Sequence, residues 1–304
     1  MEPFRVHILG CGSALPTLRH FPSSQIVEVR EKLFMVDCGE GAQMQLRRCH
    51  VRFTKVGHVF ISHMHGDHCF GLIGMISTFG LLGRTSTLHV YAPAELEAML
   101  QAQMQLFFHD LGYPLEFHPV DTKVRQTIFE DRSITVETIP LEHRMPCAGF
   151  LFREKPSLPH IRRDMIDMYG IPTSQIMNIK NGQGYTLPDG TIVEHERLVT
   201  PAEPPRSYAY CSDTRYIPTL HQQLLGVSTL YHESTYAQDK LSGAEKYYHS
   251  TAQQAAQVAL NAHAGKLLIG HYSARYTDEN VLLNEARQTF PNTLLTNEMD
   301  VFDI

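Results

Sequence analysis

The sequence lacks the features that mark membrane proteins, secreted proteins and thiolate metal sites. No apolar run approaches the roughly 20 residues that a membrane-spanning helix needs. Residues 1–5 show neither the charged nor the apolar region of a signal peptide, so we expect a cytoplasmic protein with no membrane association. Six cysteines are scattered along the chain and none forms a Cys-x-x-Cys pair, which argues against a thiolate zinc site and favours reduced thiols.

A strong excess of positive charge is also missing. The 304 residues carry a formal net charge of −6 at pH 7, which is not the basic excess of a nucleic-acid-binding protein. Any role on nucleic acid must therefore depend on a local basic surface and on bound metals. With 43% hydrophobic residues the chain can form a sizeable core, and we expect one domain over residues 1–304.

Short apolar runs alternate with helical patterns along the chain, which predicts a mixed α/β protein with sheets covered by helices. The runs at 25–29 and 33–36 flank Arg30-Glu31-Lys32 and predict a hairpin. The predicted strands are 4–9, 25–29, 33–36, 59–61, 88–91, 115–120, 133–139, 148–152, 208–211, 229–232, 266–270 and an extended tail at 294–302. The predicted helices are 42–48, 70–82, 93–108, 217–225, 251–262 and 278–290.

A change in composition runs from Arg153 to about Pro205. This stretch contains seven prolines and few long apolar runs. We interpret it as an insertion with minor structure of its own and not as a second domain. Long loops inside compact domains are usually functional, so the insertion is a candidate for a binding role.

Between a predicted strand and a predicted helix, one six-residue window holds three histidines and an aspartate. Imidazole and carboxylate are ligands that zinc accepts in catalytic sites. His63 and His65 would project the same way from a strand end, whereas Asp67 and His68 follow Gly66, where the backbone can turn sharply. Two ligand pairs that point to two places suggest two metal ions, although a histidine-rich surface loop is the plain alternative.

Further candidate ligands follow three other predicted strands, namely His143, Asp213 and His271. Each has an ordinary alternative: a surface histidine for His143, a cap of the next turn for Asp213, and a hydrogen-bonded core histidine for His271. Taken together these alternatives weaken, because each residue stands where a strand would deliver a ligand.

With these residues the chain resembles the metallo-β-lactamase superfamily of hydrolases. Residues 63–68 match its His-x-His-x-Asp-His motif, and the three later residues fall in order at its remaining ligand positions. A narrower resemblance, over essentially the whole chain, is to the short form of the ribonuclease Z family, endonucleases that process tRNA 3′ ends. The segments that carry it are 37–41, 62–68, 80–84, 212–215, 232–235, 249–251 and 271–276.

The resemblance implies a four-layer αββα sandwich, a homodimer and two zinc ions per subunit, with manganese or iron as alternatives. It also implies two groups of metal ligands with one shared residue. These are His63, His65 and His143 for one metal, Asp67, His68 and His271 for the other, and Asp213 for both. Asp37 would orient ligands through hydrogen bonds, and its alternative is a plain turn residue.

The same resemblance implies the reaction, removal of the 3′ trailer from precursor tRNA. The products would be a 3′-hydroxyl on the tRNA and a 5′-phosphate on the trailer. Metal binding lowers the pKa of water from 15.7 to about 7, and Asp67 is placed to accept a proton. His249 is the candidate general acid for the leaving 3′-oxygen, with Glu233 orienting it and keeping it protonated.

The sequence around His249 supports a fixed position for this residue. Ser250 and Gln253 predict a capping box for a helix that begins near Thr251. His249 would then lie beside a helix N-terminus, whose backbone N–H groups could help to hold a phosphate. The alternative is that residues 249–251 are only a helix cap and that Glu233 is a surface carboxylate.

The insertion at 153–205 resembles the flexible arm of that family, an exosite that grips the tRNA. Arg162, Arg163 and Lys180 are the candidate RNA-binding residues on its modest basic face, although a solvated surface loop would look similar. At 173–175 the chain departs from the family's usual turn, which leaves the conformation of the arm tip open.

Two other functions compete with cleavage of precursor tRNA. A small-molecule metallo-hydrolase of the same fold would act on sulfate esters, lactones or phosphodiesters. It would need neither an arm of about fifty residues nor the paired motifs at 232–235 and 249–251. A metal-free RNA-binding or scaffold protein would usually have lost ligands, whereas all seven positions are filled here.

Overall fold

Two β-sheets form the framework of the larger of two units. The computed structural model describes residues 2–108 and 110–304. The larger unit comprises residues 1–153 and 206–304, and the smaller comprises residues 154–205. Met1 and His109 belong to the predicted domain 1–304 but lie outside the described residues.

The strands and helices follow one another along the chain in a mixed order. The strands are β1 (Phe4–Gly10), β2 (Ser24–Val29), β3 (Lys32–Cys38), β4 (Val56–Phe60), β5 (Leu88–Ala92), β6 (Leu115–Pro119), β7 (Thr127–Glu130), β8 (Ile134–Leu141), β9 (Cys147–Glu154), β10 (His160–Ile161), β11 (Tyr185–Thr186), β12 (Ile192–Val193), β13 (Val199–Thr200), β14 (Ser207–Cys211), β15 (Thr229–Glu233), β16 (Lys266–Gly270), β17 (Thr293–Leu295) and β18 (Val301–Asp303). The α-helices are α1 (Ala42–Arg48), α2 (Gly66–Cys69), α3 (Leu72–Leu81), α4 (Ala94–Phe107), α5 (Arg163–Tyr169), α6 (Ile176–Lys180), α7 (His195–Leu198), α8 (Leu241–Tyr247), α9 (Ala252–Asn261) and α10 (Asn280–Thr289). Among the described residues, no helix has the length and apolar character needed to cross a membrane.

The two large sheets pack face to face. Within the described residues each has seven strands, in the orders β18-β1-β2-β3-β4-β5-β6 and β17-β16-β15-β14-β9-β8-β7. Aromatic side chains from both sheets meet between them. The ring centroid of Phe34 lies 5.8 Å from that of Phe152, and the centroid of Phe60 lies 5.4 Å from that of Phe150. Burial of these inner faces explains why the strands appear in the sequence as short apolar runs.

Helices cover the outer faces of both sheets. Leu46 of α1, Leu72 of α3 and Leu96 of α4 belong to the apolar cluster on the first sheet. Ala255 of α9 and Leu282 of α10 pack on the second sheet. The result is the predicted four-layer αββα arrangement, in which each helix buries its apolar stripe against a sheet.

In each sheet, the carboxyl ends of several neighbouring strands lie on the same side. Strands β3 to β6 are parallel, as are β14 to β17. Residues that follow the carboxyl ends of these strands therefore emerge on the same side of their sheet. The predicted hairpin between β2 and β3 is present, and Arg30 and Glu31 at its turn have φ values of 48° and 67°.

Some predicted elements were wrong. The predicted helix at 217–225 is only a 3-10 turn at Leu220–Gln223, between Pro218 and Gly226, which has a φ of 69°. The helix predicted at 70–82 is preceded by the short α2, so the metal loop itself is partly helical. Strand β7 was not predicted, because its four residues are half-buried or exposed and carry little apolar signal.

The smaller unit has a compact structure of its own. It contains α5, α6 and α7, and two sheets of two strands each, β10 with β13 and β11 with β12. Its small apolar core consists of Ile171, Ile179, Val193, Leu198 and Val199. The segment 173–175, for which the sequence predicted no conformation, forms a 3-10 turn after Pro172.

Candidate metal centre

The predicted metal ligands meet at strand ends from both sheets. His63 and His65 follow β4 in the first sheet, while His143, Asp213 and His271 follow β8, β14 and β16 in the second. The remaining two candidates, in α2, come directly after His65 in the chain. The structure thus brings all seven predicted ligands into one cluster.

One group of the cluster consists of facing imidazoles. His63 Nε2 lies 3.0 Å from His65 Nδ1, which lies 3.2 Å from His143 Nε2. The side chains of His63 and His143 are 0% and 1% exposed, so His143 is not an ordinary surface histidine. Burial lowers the pKa of all three imidazoles, which favours the neutral form that binds metals.

The second group consists of Asp67, His68 and His271. His68 Nε2 lies 3.4 Å from Asp67 Oδ2, and His271 Nε2 lies 3.5 Å from the same oxygen. Burial alone would raise the pKa of Asp67, but His68 and His271 hold it well below its usual range. The carboxylate is therefore ionised and available as a ligand.

Asp213 lies between the two groups. Its Oδ1 is 3.1 Å from His271 Nε2 and 3.4 Å from His68 Nε2. Its Oδ2 is 3.8 Å from both His63 Nε2 and His143 Nε2. One carboxylate oxygen faces each group, which is the placement that a bridging ligand requires.

Asp37 orients His68 and the loop of ligands through hydrogen bonds. It is fully buried, and its carboxylate accepts four hydrogen bonds, from the Ser62 backbone N–H, the Ser62 hydroxyl, His68 Nδ1 and the Tyr210 hydroxyl. The bond to Nδ1 leaves His68 Nε2 free to face the cluster. Asp37 has a φ of 54°, which is strained for a residue with a side chain and typical of functional sites.

Two other ligands are oriented by partners that the sequence did not reveal. His143 Nδ1 donates to the carbonyl oxygen of Tyr248 over 2.9 Å, and His271 Nδ1 donates to the Thr235 hydroxyl over 2.8 Å. Thr235 belongs to the segment 232–235 that carries the family resemblance, but its contact with His271 spans 36 residues. No local pattern predicts such a contact.

The residues fit a metal site. Four ligand atoms are buried without a hydrogen-bond partner in the described structure: Asp67 Oδ2, His68 Nε2, Asp213 Oδ1 and His271 Nε2. Each unsatisfied buried polar atom costs about 1–3 kcal/mol, so four in one cluster call for a shared cationic partner. Imidazole and carboxylate donors suit a first-row divalent metal. The arrangement indicates a metal-binding site.

Gly66 serves a different purpose from the predicted sharp turn. It is the first residue of α2 and does not have a positive φ. A Cβ atom at this position would lie 2.3 Å from the ring of Phe70. A side chain at this position would have to displace the ring of Phe70, which is 59% exposed, and helix geometry directs Asp67 and His68 to their group.

Glu233 and His249 form a buried pair beside the ligands. Glu233 is fully buried, so it is not a surface carboxylate. Its Oε1 accepts a hydrogen bond of 2.9 Å from His249 Nδ1 and others from the backbone N–H groups of Thr214 and Ser250, while Oε2 accepts from Thr235. Burial opposes the charged imidazolium, but Glu233 outweighs it and raises the pKa of His249 to about 9. His249 therefore carries a proton at neutral pH.

The cap of the following helix lies one residue later than predicted. Thr251 is the N-cap of α9, and its capping box is formed with Gln254, not by Ser250 with Gln253. Ser250 instead donates from its hydroxyl to the carbonyl oxygen of Thr214.

The N–H groups at this helix start are already engaged. Those of Ala252, Gln253 and Gln254 donate to Tyr236, Glu285 and Thr251. The expectation that these groups help to hold a phosphate is therefore wrong. His249 itself remains the polar group that this helix start presents to the cluster.

Open space adjoins the cluster on two sides. One cavity of about 340 Å³ is lined by His249, Arg215, Glu142 and Tyr216 among others. Another, of about 390 Å³, is lined by residues that include His65 and Asp67. His65, Asp67 and His249 are therefore reachable from solvent.

The predicted RNA-binding residues belong to the smaller unit. Arg162 forms an ion pair of 2.7 Å with Asp164, and Arg163 lies 3.5 Å from Asp167. Lys180 ends α6. Residues 154–205 contain five basic and seven acidic residues, a net charge of −2, so the unit as a whole is not basic.

The sequence is similar to that of known proteins. A curated ribonuclease Z from Phocaeicola vulgatus is 57% identical over 298 residues, which cover 98% of this chain and 96% of that protein. Residues 4–158 match the family model described as Anti-Pycsar protein Apyc1, so this half of the chain also belongs to that family.

The fold is similar to that of solved structures. Human tRNase Z, short form (ELAC1), matches with a TM-score of 0.71 and 21% identity over 98% of both chains. The metallo-β-lactamase fold protein YhfI from Bacillus subtilis matches with a TM-score of 0.69 and 18% identity, over 99% of this chain and 100% of that one. The solved structures show the fold, and the curated relative shows the family. The chain belongs to the ribonuclease Z family and has the metallo-β-lactamase fold.

Proposed function

We propose that this protein is a zinc-dependent endoribonuclease that removes the 3′ trailer from precursor tRNA. The products are a 3′-hydroxyl on the tRNA and a 5′-phosphate on the trailer. The observation that carries the proposal is the buried Glu233–His249 pair beside the ligand cluster, in a chain of the ribonuclease Z family. A protonated histidine at this place suits a reaction whose leaving group needs a proton.

Two zinc ions per subunit are the proposed cofactors, with manganese or iron as alternatives. His63, His65 and His143 would hold one, Asp67, His68 and His271 the other, and Asp213 both. When bound, the metals would lower the pKa of water from 15.7 to about 7 and neutralise phosphate charge. The orphaned atoms of Asp67, His68, Asp213 and His271 support one position. The other is supported by Asp213 Oδ2, which faces His63 and His143.

The chain's own residues would handle the protons. The ionised Asp67 is the proposed acceptor for the proton of the attacking water. As the bond from the water oxygen to phosphorus forms, the bond from phosphorus to the 3′-oxygen breaks. His249 would donate a proton to that oxygen from Nε2, since its Nδ1 is held by Glu233. Such a positioned acid contributes roughly 10²–10⁴-fold to the rate.

Recognition of tRNA is assigned to the smaller unit. Arg163, whose side chain is 85% exposed, and Lys180 would contact backbone phosphates, as would Arg162, which forms an ion pair with Asp164. Phosphate contacts supply affinity without sequence readout, and folded RNA is recognised mainly by shape. Because the unit as a whole carries a net charge of −2, its affinity would come from these few side chains.

We also propose a cytoplasmic homodimer. The family resemblance supports it, and so do large apolar side chains at the ends of α3 and α4: Leu81 is 85% exposed, Leu106 81% and Phe107 69%. Light scattering should then give twice the chain mass of 34.5 kDa. A monomer at micromolar concentration would contradict the dimer without touching the catalytic proposal.

Metal analysis together with cleavage tests the catalytic proposal. The purified protein should contain about two metals per chain and cut a precursor tRNA transcript. His65→Ala should lose both metal and cleavage, because His65 Nδ1 faces both His63 and His143. The control is His50→Asn, since His50 is exposed and asparagine tolerates its φ of 54°. Turnover near that of the unaltered protein in His65→Ala would exclude a dinuclear mechanism.

A further inference from the structure

A second group of histidines lies on the first sheet, outside the ligand cluster. His89 comes from β5, while Glu116 and His118 come from β6, the neighbouring parallel strand at the edge of the sheet. In the register of the two strands, His89 pairs with Glu116. Because residues two apart on a strand share a face, Glu116 and His118 project to the side that carries His89.

Both rings are held in place by stacking. The ring of His89 stacks on that of His58, with centroids 4.9 Å apart and an angle of 12° between the planes. The ring of His118 stacks on Tyr91, with centroids 4.5 Å apart and an angle of 13°. The imidazole nitrogens therefore have fixed directions, which reduces the entropic cost of holding a shared ligand.

The donor atoms converge at the spacing of a metal site. His89 Nδ1 lies 3.0 Å from His118 Nε2 and 3.3 Å from Glu116 Oε2, and His118 Nε2 lies 4.0 Å from that oxygen. Ligand atoms about 2.0–2.1 Å from a tetrahedral zinc ion lie roughly 3.3–3.4 Å apart. Glu116 is 57% exposed, so its carboxylate can close the remaining gap by rotating.

We propose that His89, Glu116 and His118 form a peripheral site for a first-row transition-metal ion, Zn²⁺ in particular. Two imidazoles and one carboxylate are the donor set of open zinc sites, whereas magnesium and calcium prefer oxygen ligands alone. The partial exposure of all three side chains, 27%, 57% and 38%, leaves room for water as a fourth ligand. The bound ion cross-links β5 to the edge strand β6 and stabilises that edge.

Another buried group of donors, Cys11, His20 and Glu298, does not carry the same proposal. His20 Nδ1 is bonded to Glu298 and its Nε2 to Glu279, and the Cys11 thiol donates to the carbonyl oxygen of Thr296. That group is complete as an ion-paired network. At the His89 site the two facing nitrogens can share only one proton, and a metal ion would satisfy both lone pairs.

Calorimetric titration of the metal-loaded protein with ZnCl₂ tests the proposal. Beyond the metals already bound, we expect one further site per chain. Glu116→Gln keeps the shape of the side chain and should weaken this site by about tenfold or more, by comparison with the roughly 10–100-fold cost of losing an outer partner of a metal site. His118→Phe keeps the stacking on Tyr91 and should abolish the site. His263→Asn is the control, because His263 is exposed and asparagine tolerates its φ of 51°.

Hydrogen exchange provides a second measurement on the same samples. Added Zn²⁺ should slow amide exchange in β6 in the unaltered protein and in His263→Asn, and have no such effect in His118→Phe. The absence of a further site in the titration would overturn the proposal. So would a site of unchanged affinity in both Glu116→Gln and His118→Phe.

Discussion

At the scale of single residues, Glu233 decides the protonation state of His249. A fully buried carboxylate with both oxygens bonded has no freedom to move away, so the imidazolium keeps its partner. The resulting pKa of about 9 for His249 keeps a proton available at neutral pH. This supports the proposed role of His249 as the acid that protonates the leaving group.

His249→Ala should slow cleavage of precursor tRNA by roughly 10²–10⁴-fold while the metal content stays normal. A substrate with a nitrophenolate leaving group needs little protonation, so its hydrolysis should fall much less. Steady-state rates on both substrates, with metal analysis of the same samples, check this. Equal losses on the two substrates would remove His249 from the role of general acid.

Asp37 should control metal affinity although it is not itself a ligand. Asp37→Asn keeps the shape of the side chain, but the amide nitrogen would face donors that now meet a carboxylate. We expect metal affinity to fall by roughly 10–100-fold, as measured by competition with a chelator. Tyr210→Phe removes only one of the four hydrogen bonds and should cost less. An unchanged affinity in Asp37→Asn would mean that the strained φ of Asp37 has another cause.

At the scale of elements, a histidine ties the segment after β1 to the C-terminal part of the chain. His20 Nδ1 bonds to Glu298 over 3.0 Å, and Nε2 to Glu279 over 3.3 Å. Burial alone would lower the pKa of His20, but the two carboxylates raise it above its ordinary value. The side chain is only 8% exposed, so solvent screens these contacts weakly.

The contribution of His20 to stability should therefore depend on pH. It is fully present below the unfolded pKa of about 6.5 and is lost as pH rises through the higher folded pKa. The difference in free energy of unfolding between the unaltered protein and His20→Asn should be larger at pH 6 than at pH 9. Urea denaturation at both values measures it. A difference that stays constant with pH would show that His20 acts only through packing.

The elements that sequence reasoning located well are those with a strong local signal. Strand β16 was predicted at its observed bounds, 266–270, because a buried parallel strand reads as an unbroken apolar run. The prediction of a helix at 217–225 was wrong, because apolar residues alone do not form a helix between Pro218 and Gly226. The capping box was misplaced by one residue, since Ser250 and Thr251 both fit the pattern and only tertiary contacts of Ser250 decide between them.

The metal ligands were predicted from their positions after strands and from the family resemblance, and the structure brings these residues together. The contacts that orient them could not be predicted, because they join distant segments. Tyr210 reaches Asp37 across 173 residues, and Thr235 reaches His271 across 36. Sequence patterns report local periodicity, whereas such contacts depend on how the two sheets pack.

At the scale of the whole molecule, residues 154–205 form a unit with its own small core. No predicted metal ligand lies in it, so substrate selection and chemistry should be separable. Replacing residues 156–203 with a short Gly-Ser linker should cripple cleavage of precursor tRNA and spare hydrolysis of a small chromogenic phosphodiester. Binding of the intact protein to precursor tRNA should weaken with added salt. Full cleavage of precursor tRNA by the shortened protein would favour a small-molecule hydrolase.

The most direct measurement of the central claim is to incubate the metal-loaded protein with a precursor tRNA transcript and to map both product ends. Attack on phosphorus with departure of the 3′-oxygen predicts a single cut at the 3′ side of the tRNA. The tRNA should end in a 3′-hydroxyl and the trailer should begin with a 5′-phosphate. A tRNA ending in a 3′-phosphate, or no cleavage by protein with about two metals per chain, would contradict the proposed function.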